Sequence, residues 1–170
     1  SSSDPHAETR TVLAGTKLED ATGALIAIHG RGASAEDIVA LAQEIAPPHI
    51  AIVAPEASGS TWYPYRFLEP TERNEPFLSS ALRRVQAVIE SLGEQGLPPE
   101  SVALVGFSQG ACLAMESVAR HAQRYAGAIG LSGGLIGPPG TTFTYAGSLA
   151  ATPVFLGCSN VDAHIPVDRV

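Results

Sequence analysis

Five short apolar runs punctuate the chain: "ALIAIHG" (24–30), "HIAIVAPE" (49–56), "SVALVGFS" (101–108), "AGAIGLSGG" (126–134) and "TPVFLGCS" (152–159), each flanked by Gly, Pro or Ser. Runs this short, with turn residues at both ends, predict buried strands rather than helices. Between them, apolar residues recur at three- and four-residue spacing over 34–46, 74–96 and 109–127, and this predicts three helices, the first capped by Ser34. The strands are apolar at almost every position instead of alternating with polar residues. A sheet with that pattern is covered on both faces, so its strands are mostly parallel and joined by right-handed helical crossovers. The fold class is α/β.

Two segments break the alternation. "EASGSTWYPYRFLEPTERNEP" (56–76) is rich in Pro and aromatic residues, and "GGLIGPPGTTFTYAGSLA" (133–150) is rich in Gly. Both read as long ordered loops leaving strand ends, the place where open α/β sheets hold ligands. With no repeat and no interdomain linker, residues 1–170 are expected to form one domain, with 1–10 as a flexible tail.

Composition narrows the classes of partner. Over 170 residues, 17 acidic against 10 basic side chains leave a formal charge of -7, which disfavours a nucleic-acid or anionic-membrane surface. No apolar run approaches the ~20 residues that cross a bilayer, so no stable membrane insertion is expected. Cys112 and Cys158 have neither metal-ligand spacing nor a disulfide-rich setting. They read as reduced thiols, which fits a cytoplasmic location, and no metal site is expected.

The chemistry is concentrated at "GFSQG", which fits G-x-S-x-G with Gly106, Ser108 and Gly110 in the fixed places, after a strand and before a helix. A serine at such a turn is forced into a strained conformation that exposes its hydroxyl, while glycines two residues to either side relieve crowding. The helix beginning beside it aims free amides at the same spot, so the Gln109 amide is a candidate donor to an oxyanion. "HGRG" (29–32) follows the first of the five strands, and the backbone amide of Arg31 is the candidate second donor. The Arg31 side chain reads as a solvated loop cation or a contact to an acidic substrate group, and His29 as an organiser of its loop rather than a base. Asp162, following the last strand, reads either as a turn residue or as the acid that orients a histidine, and chain order favours the second.

With "HGRG" (29–32), "WYPYRF" (62–67), "NEPFLSSAL" (74–82), "GFSQGA" (106–111) and "VDAHIP" (161–166) in this order, the chain from Ala24 to Val170 resembles the phospholipase/carboxylesterase family of α/β-hydrolases, which includes acyl-protein thioesterase-like enzymes and small bacterial carboxylesterases. The resemblance implies an α/β-hydrolase fold and a serine hydrolase with no cofactor. Its substrates would be carboxylic esters of short or aryl type, with lysophospholipids and acyl thioesters as further classes, cleaved through an acyl-enzyme on Ser108. It also places Trp62, Tyr63 and Phe67 in a loop that lines the substrate pocket; the alternative for these three is a small core under the loop.

The family pattern continues past the acid through another helix, a strand bearing the catalytic histidine and a terminal helix, whereas eight residues follow Asp162 here. The final strand and helix are therefore expected to be missing from this chain, and the source of the base is open. His164 lies two residues from Asp162, where successive side chains point apart, and reads as a shaper of the loop mouth. The alternative to catalysis is a hydrolase-like binding protein without the proton relay. An uncovered sheet edge would favour a homodimer.

Overall fold

The structure, a computed structural model, describes residues 4–143, 145, 147–157 and 169. Six strands form one sheet in the order β1-β3-β2-β4-β5-β6: β1 (Thr11–Gly15), β2 (Gly23–Ile28), β3 (Ile50–Pro55), β4 (Val102–Phe107), β5 (Gly127–Leu131) and β6 (Val154–Gly157). All neighbours run parallel except β1, which pairs antiparallel with β3. Three helices connect them: α1 (Ala35–Ile45), α2 (Phe77–Glu94) and α3 (Gln109–Arg120).

The unbroken apolar strands are explained by two separate cores. Ala24, Ile26 and Ile28 of β2 point with Leu104 toward α2 and α3, joining Leu78, Val85, Ile89, Leu113 and Val118. The intervening Leu25 and Ala27 point with Val105 toward α1, against Ile38, Val39 and Ala42. Adjacent residues thus fill opposite cores, as the two-residue period of a strand requires. Ser34 caps α1 by accepting from the Asp37 amide (3.3 Å), while the Ser34 amide donates to the Asp37 carboxylate (3.0 Å).

The structure departs from the sequence reading in four places. Strand β1 is additional: it lies at an edge with Leu13 61 % exposed, and its apolar run is only three residues long (Val12–Ala14). Strand β6, expected to be buried, lies at the other edge of the sheet with Val154, Phe155 and Leu156 exposed. Helix α3 stops at Arg120, short of 127. Beyond it Tyr125 is buried, its amide donating to Thr152 Oγ1 (2.8 Å) and its hydroxyl to the His121 carbonyl (2.6 Å). Residues 4–10, expected as part of a free tail, lie against the domain. His6 is fully buried, and the Arg84 guanidinium on α2 donates to the Thr9 carbonyl (2.9 Å). A single buried polar residue among polar neighbours leaves no periodic trace, so this packing is invisible in the pattern.

Candidate active site

The chain leaves the carboxyl end of β4, turns at Ser108 and enters α3, so Ser108 stands at the mouth of the sheet. Its backbone adopts φ 54°, ψ −117°, a sparsely populated region for a residue with a Cβ. Two anchors hold it there: its amide donates to the Leu131 carbonyl of β5 (2.8 Å), and its carbonyl accepts from the Cys112 amide (3.0 Å). The neighbouring glycines are a packing necessity. A Cβ on Gly106 would overlap the Gly110 carbonyl, and one on Gly110 would overlap the Ile28 and His29 carbonyls where α3 crosses the end of β2.

The 29–32 loop lies directly against this turn: a Cβ on Gly30 would come within 3.6 Å of Ser108 Cβ. The amides of Arg31 and Gln109 therefore belong to two segments that meet at Ser108, and the Gln109 amide is at the start of a helix, where backbone donors lack intrahelical acceptors. The Gln109 side chain, buried, does something the sequence did not suggest. Its Oε1 accepts from the Trp62 amide (2.8 Å) and its Nε2 donates to the Tyr63 carbonyl (2.8 Å), tying the aromatic loop to α3. The Arg31 guanidinium clamps the same loop further on, donating to the carbonyls of Pro64 (2.8 Å) and Tyr65 (2.9 Å).

A cavity of about 240 Å³ opens over Ser108, lined by Arg31, Tyr63, Arg66, Phe67, Gln109 and Cys112. Tyr63 and Phe67 are on its wall. Trp62 is not among the lining residues: its ring is fully buried, stacked on His29 (5.2 Å between centroids) and packed on His6 (5.3 Å), with its indole N–H donating to the His29 carbonyl (2.9 Å). The indole is core under the loop, because its one polar atom finds its acceptor inside. Cys112 was missed as a lining residue, although its position one helical turn past Ser108 was the available signal. Burial pushes its thiol up to about 11, so it stays protonated at neutral pH, and burial, with the Cys112 thiol as a lesser cause, drives the Tyr63 phenol well above its usual range.

None of the four described histidines can take a proton from Ser108. His29 accepts from the Ala57 amide at Nε2 (3.0 Å) and donates from Nδ1 to the Gly30 carbonyl (2.7 Å), so both nitrogens are occupied in one neutral tautomer. His6 is likewise bonded at both nitrogens. His49 precedes β3 at the amino end of the strands, and His121 closes the far end of α3. Asp162, His164 and Cys158 lie outside the described residues. Among the described residues no group of three or more His, Cys, Asp or Glu could hold a metal, and no helix is long and apolar enough to cross a membrane.

A mostly parallel sheet with one antiparallel edge strand, helices on both faces and a serine at the turn from β4 to α3 is the α/β-hydrolase fold. The phospholipase/carboxylesterase family model matches residues 12–169, and the chain belongs to that family. It is similar to a phospholipase/carboxylesterase from Dyadobacter fermentans at 40% identity, covering 95% of this chain and 78% of that one, with a TM-score of 0.91. The same fold recurs in esterase PE8 (23% identity, 96% and 80% coverage, TM-score 0.74) and in a Bacillus cereus carboxylesterase (17% identity, 96% and 76% coverage, TM-score 0.71). Family and fold place the chain among hydrolases of the esterase type.

Proposed function

We propose that this protein is a serine carboxylesterase that cleaves small carboxylic esters through an acyl-enzyme on Ser108. The observation that carries the proposal is Ser108 itself, held at φ 54°, ψ −117° on the floor of a cavity at the amino end of a 12-residue helix. In the reaction Ser108 Oγ bonds to the ester carbonyl carbon, and the carbonyl oxygen takes up the negative charge between the amides of Arg31 and Gln109. Collapse of the tetrahedral species breaks the bond to the alcohol oxygen, which leaves with a proton. Water then repeats the attack and frees the acid. By its order in the chain and the family resemblance, Asp162 is assigned the role of orienting a histidine base; that base lies outside the described residues, and it takes the Ser108 proton and returns it to the leaving alcohol oxygen.

The cavity supports the short end of the substrate range. Ligand pockets for drug-sized molecules occupy roughly 300–1,000 Å³, and about 240 Å³ between Tyr63 and Phe67 suits a short acyl or a single aromatic group. The test is hydrolysis of p-nitrophenyl acetate and p-nitrophenyl decanoate, beside fluorophosphonate labelling of the same preparation. Replacing Ser108 with Ala should remove labelling and lower turnover of the acetate by at least about 10³-fold. Turnover that survives Ser108→Ala would overturn the mechanism, and a preference for the decanoate would overturn the short-chain assignment.

A further inference from the structure

We infer that His6 is a positioning residue for the oxyanion hole, bracing from outside the loop that joins its two halves. The inference rests on the reading of Ser108, Arg31 and Gln109 given above.

His6 is fully buried and spends both ring nitrogens on one short segment. Its Nδ1 accepts from the Ser58 amide (3.0 Å), and its Nε2 donates to the Trp62 carbonyl (2.7 Å). Between these points Gly59 and Ser60 both have positive φ (62° and 59°), so the segment is a tight turn outside any sheet or long helix. The histidine is in turn fixed to α2. Its amide donates to Ser80 Oγ (3.0 Å), and that hydroxyl donates to the Asp4 carboxylate (2.6 Å).

On its inner side the same segment bonds to both halves of the proposed hole. Toward Arg31, the Gly32 amide donates to the Ser60 carbonyl (2.8 Å), the Trp62 indole donates to the His29 carbonyl (2.9 Å), and the Ala57 amide donates to His29 Nε2 (3.0 Å). Toward Gln109, the Trp62 amide and the Tyr63 carbonyl are both held by the Gln109 carboxamide. Residues 57–63 therefore bridge the loop that offers one amide to the helix that offers the other, and His6 is bonded to both ends of the bridge's turn. A small displacement of oxyanion donors is costly in rate, because their worth depends on fixed geometry.

Trp62 is the only tryptophan of the chain, so its fluorescence reads the bridge directly. The experiment compares the full chain with His6→Ala, His6→Gln and His6→Asn at pH 8. Far-UV circular dichroism selects the variants that are folded, and emission maximum, acrylamide quenching and p-nitrophenyl acetate kinetics are then recorded. In His6→Ala the Trp62 emission should move to the red and quenching should rise. There kcat should fall about 10- to 100-fold with KM within about twofold. Gln, which can still donate to the Trp62 carbonyl, and Asn, which can still accept from the Ser58 amide, should each recover part of both signals. Folded His6→Ala with unchanged emission and unchanged kcat overturns the inference. Should the alanine variant not fold, Gln and Asn variants indistinguishable from the starting protein overturn it equally. A starting chain that neither turns over ester nor reacts with fluorophosphonate sinks the Ser108 reading instead, and the Trp62 signals of the variants still decide whether His6 braces the bridge.

Discussion

At the scale of single residues, close backbone approach explains why the G-x-S-x-G pattern could be read from the sequence. The glycine at 110 lets α3 touch the Ile28 and His29 carbonyls, and neither can retreat without parting α3 from β2. Gly110→Ala should therefore lower stability by about 1–3 kcal/mol, the range for overpacking a tight interior, as read from the urea midpoint. Gly93 supplies the contrast. It sits in α2 with open space where a Cβ would go, so Gly93→Ala should instead stabilise by about 0.5–1 kcal/mol. Equal effects of the two changes would contradict the packing account. Ser108, Gln109 and the HGRG loop were legible because such spacing leaves a mark in the sequence. His6, the Gln109 carboxamide and the inward turn of Trp62 were not, because their partners stand 46 to 56 residues away or face the other side of one loop.

At the scale of elements, strands β2 to β6 and the three helices followed from the apolar runs and their spacing, whereas the edge strand β1, with an apolar run of only three residues (Val12–Ala14), escaped. The loop over 133–150 was legible only as a loop; a buried carboxylate on α3 holds it at Ile136 and Tyr145. Glu116 accepts from the Ile136 amide (2.8 Å) through Oε1, and from the Arg120 guanidinium (2.8 Å) and the Tyr145 hydroxyl (2.7 Å) through Oε2. Arg169 completes the cover by donating to the carbonyls of Leu135 (2.9 Å) and Gly137 (3.1 Å) and placing its guanidinium over the Phe67 ring (5.3 Å). Tyr145→Phe removes one bond to a charged acceptor and should cost about 1.5 kcal/mol. Glu116→Leu leaves an amide, a hydroxyl and a cation without their acceptor and should cost more, about 3 kcal/mol. Limited proteolysis at 137–143 should rise in the same order, and a leucine variant as resistant as the starting protein would remove Glu116 from this role.

For the whole molecule, acid should weaken the fold in two separate windows. Burial, the largest cause, holds His6 below its ordinary 6.5, so the unfolded chain binds a proton near that pH that the folded chain refuses. Its contribution is complete above about pH 6.5 and is lost as pH falls below it. Glu56 behaves differently. The Arg10 guanidinium, and behind it the Ala35 amide, hold its carboxylate down to about 2, so its contribution persists through pH 5 and is lost between about 4.5 and 2. Urea midpoints from pH 8 to pH 3 should show both declines, and His6→Gln should flatten the upper one alone. Helix α3, finally, works as a ruler. Ser108 just before its first turn, Cys112 in the cavity wall, Glu116 under the cover and Arg120 at its end fall at four-residue intervals. Substitutions in the two long loops can recast the cavity one wall at a time. A single residue inserted early in α3 would rotate cavity wall, cover and helix end together, about 100° away from the nucleophile.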